Sequence, residues 1–304
     1  MEIRFIKLGN KGAWEKECIE NGTIRLGYDS TPHKLCLARD WIAVKKHWLS
    51  ERSGKEGAAS NDVSQIRAFY ELKEDDIWVT IYLRRMYWCH AEETVTELSD
   101  GSRVRKVIGS WKCEDDKGHA LLIDNIDGQV TMVQGFRGTI CRVHEEEYLI
   151  RKIKGDIQPE IEAAHLAVTN LKKNISALIK GLWWGDFELL VELIFSRLGF
   201  QRMSILGKQG KDIDIDLYSP LSGKRAFVQV KSNTSLDEIT RYYDIFKEYK
   251  KCGLYAEMFY AYHSGPDKTA TGINDSAVSF FDLDKITDLV IQTGLIDWVI
   301  NKRS

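Results

Sequence analysis

The sequence predicts a two-domain protein of mixed α+β and α/β character. A small β-barrel over residues 1–145 precedes a helical linker over 146–182. A mixed sheet flanked by helices then fills residues 183–304. Three observations carry this. The first part is a series of short β-branched and aromatic runs separated by Gly- and Asp-rich pieces. The stretch from Pro159 to Lys180 then runs without a glycine and repeats its apolar residues at helical spacing. Beyond it the order reads helix, strand, turn, strand, helix, strand, helix, the alternation of an α/β core.

The elements follow in order. "EIRFIKLG", "GTIRLGY" and "DDIWVTIYL" are strand-like, the last nearly all β-branched or aromatic. Between the second and third, "SNDVSQIRAFYEL" predicts a helix. Ser60 or Asn61 would cap it, and Val63, Ile66, Phe69 and Tyr70 form its stripe. "RVRKVIGSW" and "GQVTMVQGF" complete the strand set, and closure into a barrel would remove the sheet edges. Ile161, Leu166, Leu171, Ile175 and Leu178 mark the connecting helix, with Pro159 in its first turn. "DFELLVELIFSRLGF" is a buried helix stopped by Gly199. "KDIDIDLYS" and "AFVQVKS" are strands joined by a turn with Pro220 and Gly223. A helix capped by Ser235 and ended at Gly253, the strand "YAEMFYAYHS" and the helix "DKITDLVIQTG" finish the chain.

Composition narrows the function. Hydrophobic residues make up 43% and charged residues 29%, ordinary for a chain with a sizeable core. The net charge of −2 gives no global basic signature, so nucleic-acid contact would rest on local patches. No secretory signal and no run long enough to span a membrane is visible. The six cysteines are scattered without a CxxC pair, as expected of reduced thiols in a cytoplasmic protein rather than a zinc site.

The hairpin between Gly210 and Ser232 carries the chemistry. Side chains alternate across a strand, so Asp212, Asp214 and Asp216 share one face and Ile213, Ile215 and Leu217 the other. In the next strand Phe227, Gln229 and Lys231 share a face. With the apolar faces inward, carboxylate, amide and ammonium meet on one side. Such oxygens suit Mg²⁺, and a lysine beside them can activate water and stabilise phosphate charge. From this piece alone, a hairpin with ordinary solvated charges explains the pattern equally well.

Residues 183–304 resemble the Mrr-type branch of the PD-(D/E)XK nucleases. "DFELLVELIFSRLGF", "DIDID" and "VQVKS" match in order, with Asp216 and Gln229 separated by 229−216 = 13 positions. The resemblance implies a Mg²⁺-dependent phosphodiesterase, with Mn²⁺ able to substitute. It implies Asp216 as the main metal ligand, with Asp214 as the alternative because the family's usual glycine is missing, and Asp212 as structural. Gln229 would offer its side-chain oxygen and Val230 its carbonyl. Lys231 would position the attacking water, and Glu188 would complete the site, with Glu192 one turn on as its competitor. Glutamine in place of the usual acid removes one negative charge, which implies weaker metal binding or reliance on substrate phosphate.

Residues 1–145 are similar to the modules that precede Mrr-type catalytic domains and to EVE and PUA-like domains, through "IRFIKLGNKGAWEKECIENGTIRLGY" and "SNDVSQIRAFYELKEDDIWVTIYL". Such modules read modified bases, which leave the stack to be read. Trp14, Tyr28, Trp41, Asn61 and Trp88 are the candidates for lining a base pocket. Arg103, Arg105 and Lys106 in "RVRK" are among the candidates for tracking phosphates. The expected protein is a modification-dependent, type IV-like DNA endonuclease of anti-phage defence. It would act on double-stranded DNA, with or without modified bases, as a homodimer or higher assembly and without membrane contact. Two rivals remain: an abortive-infection nuclease sensing a nucleotide signal or RNA, and a catalytically inactive DNA-binding protein.

Overall fold

The computed structural model describes residues 1–203 and 213–304; Asp212 lies outside them. The chain divides into two compact units, Met1–Gln158 and Pro159–Ser304.

In the first unit the elements run β1 (Ile3–Ile6), α1 (Glu15–Glu20), β2 (Thr23–Leu26), α2 (His33–Leu37), α3 (Trp41–Glu51), α4 (Glu56–Glu71), β3 (Ile77–Tyr82), β4 (Arg85–Ala91), β5 (Thr96–Glu97), β6 (Arg103–Lys112), α5 (Gly128–Thr131), β7 (Ile140–Arg142) and α6 (Glu146–Lys154). The sheet is ordered β2-β6-β4-β3-β1-β7, with β5 beside β6. Strands β1 and β3 are parallel and the other pairs antiparallel. The sheet is curled, and among the described residues no pairing joins β2 to β7, so the closure expected of a barrel is not confirmed. One core, with Ile6, Trp48, Phe69 and Trp78, lies under α3 and α4; a second, with Phe5, Trp88, Leu149 and Ile153, lies under α6.

Three departures from the sequence reading have local causes. Helix α4 starts at Glu56, so Asn61 sits inside it and caps nothing. The segment 128–136, expected as a strand, is helical over 128–135: Val130 and Val133 are buried and Met132 exposed, a spacing of three, and the Asp127 carboxylate caps the turn by accepting from the Gln129 N–H at 2.7 Å. Helix α3 was legible but unread, with Asp40 as its cap and Val44 and Trp48 buried one turn apart.

The basic run on β6 is also not what its charge suggests. Arg103 and Arg105 are 1% and 0% exposed. Arg103 donates to the carbonyls of Tyr28, Gly101 and Thr31 and pairs with Glu97. Arg105 donates to the carbonyls of Glu92, Phe69, Leu72 and Ala91 at 2.7–3.2 Å, and burial pulls its pKa down. These buried guanidiniums are taken up by loop and helix-end carbonyls, so neither can meet a phosphate. Replacing Arg105 with methionine should orphan those carbonyls. The expected cost is about 3 kcal/mol, a fall of roughly 6–12 °C in the melting of this unit by circular dichroism.

In the second unit the elements are α7 (Pro159–Lys180), α8 (Trp184–Arg197), β8 (Gln201–Arg202), β9 (Ile215–Ser219), β10 (Lys224–Asn233), α9 (Leu236–Lys251), β11 (Glu257–Ser264), β12 (Val278–Phe281), α10 (Leu283–Gln292) and α11 (Ile296–Arg303). The sheet is ordered β12-β11-β10-β9-β8; β10, β11 and β12 run parallel, and β9 is antiparallel to β10 and to β8. Ile175, Ile179, Phe187, Ile194, Val228 and Val290 build the core beneath α7, α8 and α10, while Phe227, Phe246 and Tyr260 build the one beneath α9. The stretch read as a linker is thus shared: α6 buries Leu149 and Ile153 in the first unit, and α7 buries Ile175 and Ile179 in the second. No helix among the described residues is long and apolar enough to cross a membrane.

Candidate active site

The second sheet places the hairpin chemistry by alternation. On β10, Phe227 packs under α9 while Val228 and Val230 pack under α8, so Gln229 and Lys231 fall on the Phe227 side. Asp216 stands opposite Phe227, and Ile215 opposite Val228 is the last pair of the ladder. Asp214, one residue beyond, is released from strand pairing. Its Oδ2 accepts from the Gln229 side-chain amide and, at 2.8 Å, from the Val230 N–H. The carboxylate therefore substitutes for the strand that has ended.

Electrostatics link this carboxylate to a second element. Burial raises the Asp214 pKa, against the Val230 N–H, the Lys231 charge and the Gln229 amide, which favour ionisation. On α8, burial raises the Glu188 pKa, the nearby Asp214 charge raises it further, and Arg202 and Lys231 oppose. Glu188, Asp214 and Lys231 thus feel one another across the diverging end of β9 and β10. Glu192, the competing acid, is engaged by Arg202. Lys231 Nζ lies 5.4 Å from the centre of the Tyr242 ring.

Asp216 has different neighbours. Its Oδ2 accepts from Arg225, and burial, then the charge of Asp216 and a hydrogen bond to it, raise the pKa of Tyr255. Its Oδ1 is buried without a hydrogen-bond partner, and so is Gln229 Oε1, on a side chain only 1% exposed. Orphaned buried oxygens are costly unless something supplies them with positive charge. Both lie on the Phe227 side of the hairpin, and Gln229 donates to the Asp214 carboxylate, whose ionisation burial disfavours. A hard divalent cation fits that donor set. Among the described residues no three His, Cys, Asp or Glu side chains gather at metal-binding distance, and at this site an amide holds the place of a third acid.

The residues expected to line a base pocket do not all converge. Trp14 lines a cleft of about 650 Å³ with Lys7 and Arg137. Tyr28 and Asn61 line an adjoining cleft of about 450 Å³, which shares Arg137, Gly138 and Thr139 with the first. Trp41 lies elsewhere, its indole N–H donating to Glu71 at 2.8 Å. Trp88 is 5% exposed in the core under α6, donating to the Glu114 carbonyl.

Sequence reasoning missed Arg52, Asp62 and Gln65 at this second cleft. Asp62 accepts from Arg52 at 2.6 Å and from the Tyr28 hydroxyl at 3.3 Å. Gln65 Oε1 accepts from the N–H groups of Thr139 and Ile140, and a Cβ at Gly138 would lie 2.6 Å from it. The available signal was two polar residues, Asp62 and Gln65, set among the apolar stripe of α4.

No curated protein matches the sequence. Among solved structures, the chain is similar to the DNA modification-dependent restriction endonuclease AspBHI, at 11% identity and TM-score 0.33 over 75% of this chain and 68% of that one. It is also similar to a repair endonuclease from Pyrococcus abyssi, at 11% identity and TM-score 0.23 over 70% and 71%. Residues 179–256, which hold Glu188, Asp214, Gln229 and Lys231, match the Mrr_cat family model, described as a restriction endonuclease; the chain carries a restriction-endonuclease-like domain there.

Proposed function

We propose that the protein is a Mg²⁺-dependent endonuclease that hydrolyses DNA phosphodiester bonds, directed by modified bases and serving in anti-phage defence. One observation carries the reading: within the restriction-endonuclease-like segment, Asp214 and Lys231 act electrostatically on Glu188, and Gln229, which donates to Asp214, keeps a buried amide oxygen without a partner. Asp214, Asp216 Oδ1, Gln229 Oε1 and the Val230 carbonyl would hold the cation, with Glu188 behind them. Mg²⁺, or Mn²⁺ in its place, supplies charge neutralisation at the phosphate when bound. Gln229 orients Asp214 through its amide N–H. Lys231 positions the attacking water and stabilises the charge that grows on the phosphoryl oxygens. A single site cuts one strand, so a double-strand break takes two copies on the DNA.

In the N-terminal unit, Trp14, Tyr28 and Asn61 face the two adjoining clefts, with Arg52 and Arg137 nearby for phosphate. A base turned out of the duplex would stack there and be read along its edge. The module is EVE- or PUA-like in this reading.

The test is cleavage of a panel of genomic DNAs, unmodified, methylated, hydroxymethylated and glucosylated, with Mg²⁺. One class should be cut preferentially. The reading fails if none is cut and the Asp214→Ala and Lys231→Ala proteins protect cells as well as wild type. A finer outcome concerns Glu188. Burial, and then the Asp214 charge, raise the Glu188 pKa, and the amide removes that raised titration from the site. Glu188→Gln should cleave about 10–100-fold more slowly, and the acid limb of its pH–rate profile should move to lower pH.

A further inference from the structure

The chain has nine tryptophans. Seven are buried or packed against a core, and the two that stand exposed are adjacent: Trp183 at 61% and Trp184 at 62%. Their ring centres are 4.7 Å apart with planes tilted by 50°. Exposing two indoles side by side costs hydration free energy that a soluble surface ordinarily avoids.

The pair is held in place. Trp183 ends the loop before α8, and its ring lies so close over Gly185 that a Cβ there would come within 2.3 Å of it. Trp184 begins α8, about one turn before Glu188, so the two side chains share a helix face about 6 Å apart along the axis. Basic groups stand on the segment that leads into the rings. Lys180 ends α7 three residues earlier, and the Arg303 guanidinium stands over Gly181, where a Cβ would meet it at 2.6 Å.

We infer that Trp183 and Trp184 form a stacking platform for the bases of a locally unpaired DNA strand, beside the carboxylate site. Aromatic faces with cations on the adjoining segment are the arrangement by which single strands are bound, because every base offers a π-face and every linkage a negative charge. The position follows from the helix: a strand whose bases lie on Trp184 brings its backbone to Glu188 and the diverging end of β9 and β10. The domain would thus engage DNA that is unstacked next to the scissile linkage, such as a strand beside an extruded base. This rests on the nuclease reading for its consequence, but not for the binding itself.

The experiment measures binding in chelator with full-length Lys231→Met protein, using fluorescein-labelled oligothymidylate and a duplex of equal length. Trp183→Ala/Trp184→Ala should bind the single strand about 10–100-fold more weakly, with less loss for the duplex. Trp183→Phe/Trp184→Phe should retain most of the affinity, and Gly185→Ala, which displaces the Trp183 ring, should weaken it. Unchanged single-strand affinity in the double alanine variant, with an unchanged melting curve, overturns the inference. So does a dimer of the wild-type chain, seen by sedimentation, that the double alanine variant dissociates, since the rings then face a second copy. If stacking holds but wild type cleaves no DNA, the nuclease reading fails and the platform stands.

Discussion

Lys231→Met should cleave DNA about 10³-fold more slowly than wild type while retaining its fold and its affinity for DNA in chelator. Methionine keeps the apolar stem beside Tyr242 and removes only the ammonium, which sits 5.4 Å from that ring and within electrostatic reach of Asp214 and Glu188. In the proposed reaction that charge has two tasks, to hold water for attack and to stabilise the phosphoryl oxygens, and neither is made good by a neighbour. The loss should therefore fall on the cleavage step. Single-turnover rates at saturating protein, set against anisotropy titrations, measure the two separately. Cleavage within tenfold of wild type would remove Lys231 from the chemistry and leave it a ring-packed surface cation.

The second large effect separates two carboxylates by the sign of a stability change. Burial raises the Asp214 pKa, so its protonated form is the one the fold prefers. That preference stabilises the protein fully below the ordinary carboxylate pKa and is lost as pH rises through the raised value. At neutral pH the ionised group is a cost that a cation would relieve. Asp214→Asn should accordingly raise the melting temperature in chelator by about 2–4 °C, abolish the further rise that Mg²⁺ gives wild type, and cut cleavage by more than about 100-fold. Asp216→Asn removes the charge that Arg225 meets, so it should lower the melting temperature by a similar amount. Scanning calorimetry with and without Mg²⁺ decides this. A loss of stability in Asp214→Asn would mean that its two hydrogen bonds outweigh its buried charge, and the site would then be structural.

Much of the hairpin was legible beforehand because strand alternation is local. The period of two puts Phe227, Gln229 and Lys231 on one face, and in the structure Phe227 packs beneath α9 as that parity requires. The α8 helix was legible for a similar reason: Phe187, Leu190, Val191 and Ile194 recur at helical spacing and all are buried. The β6 arginines were not. A basic run reads the same whether it faces solvent or carbonyls, and only the loops at Tyr28, Thr31 and Leu72 bury it. Asn61 was read as a cap because nothing local marks the start of α4 at Glu56.

By itself the sequence determined which β10 side chains share a strand face, since that follows from backbone periodicity, while the helix glutamate was implied by the family resemblance. Ile213, expected beside Ile215 and Leu217, packs instead with Phe227. Only the tertiary structure decided where the β9 ladder stops, and so which aspartate turns to Gln229 and Val230 and which is taken by Arg225. The reason is physical: alternation is set by neighbours in the chain, whereas the charge state of a carboxylate is set by burial and by groups from other elements, which no local pattern encodes.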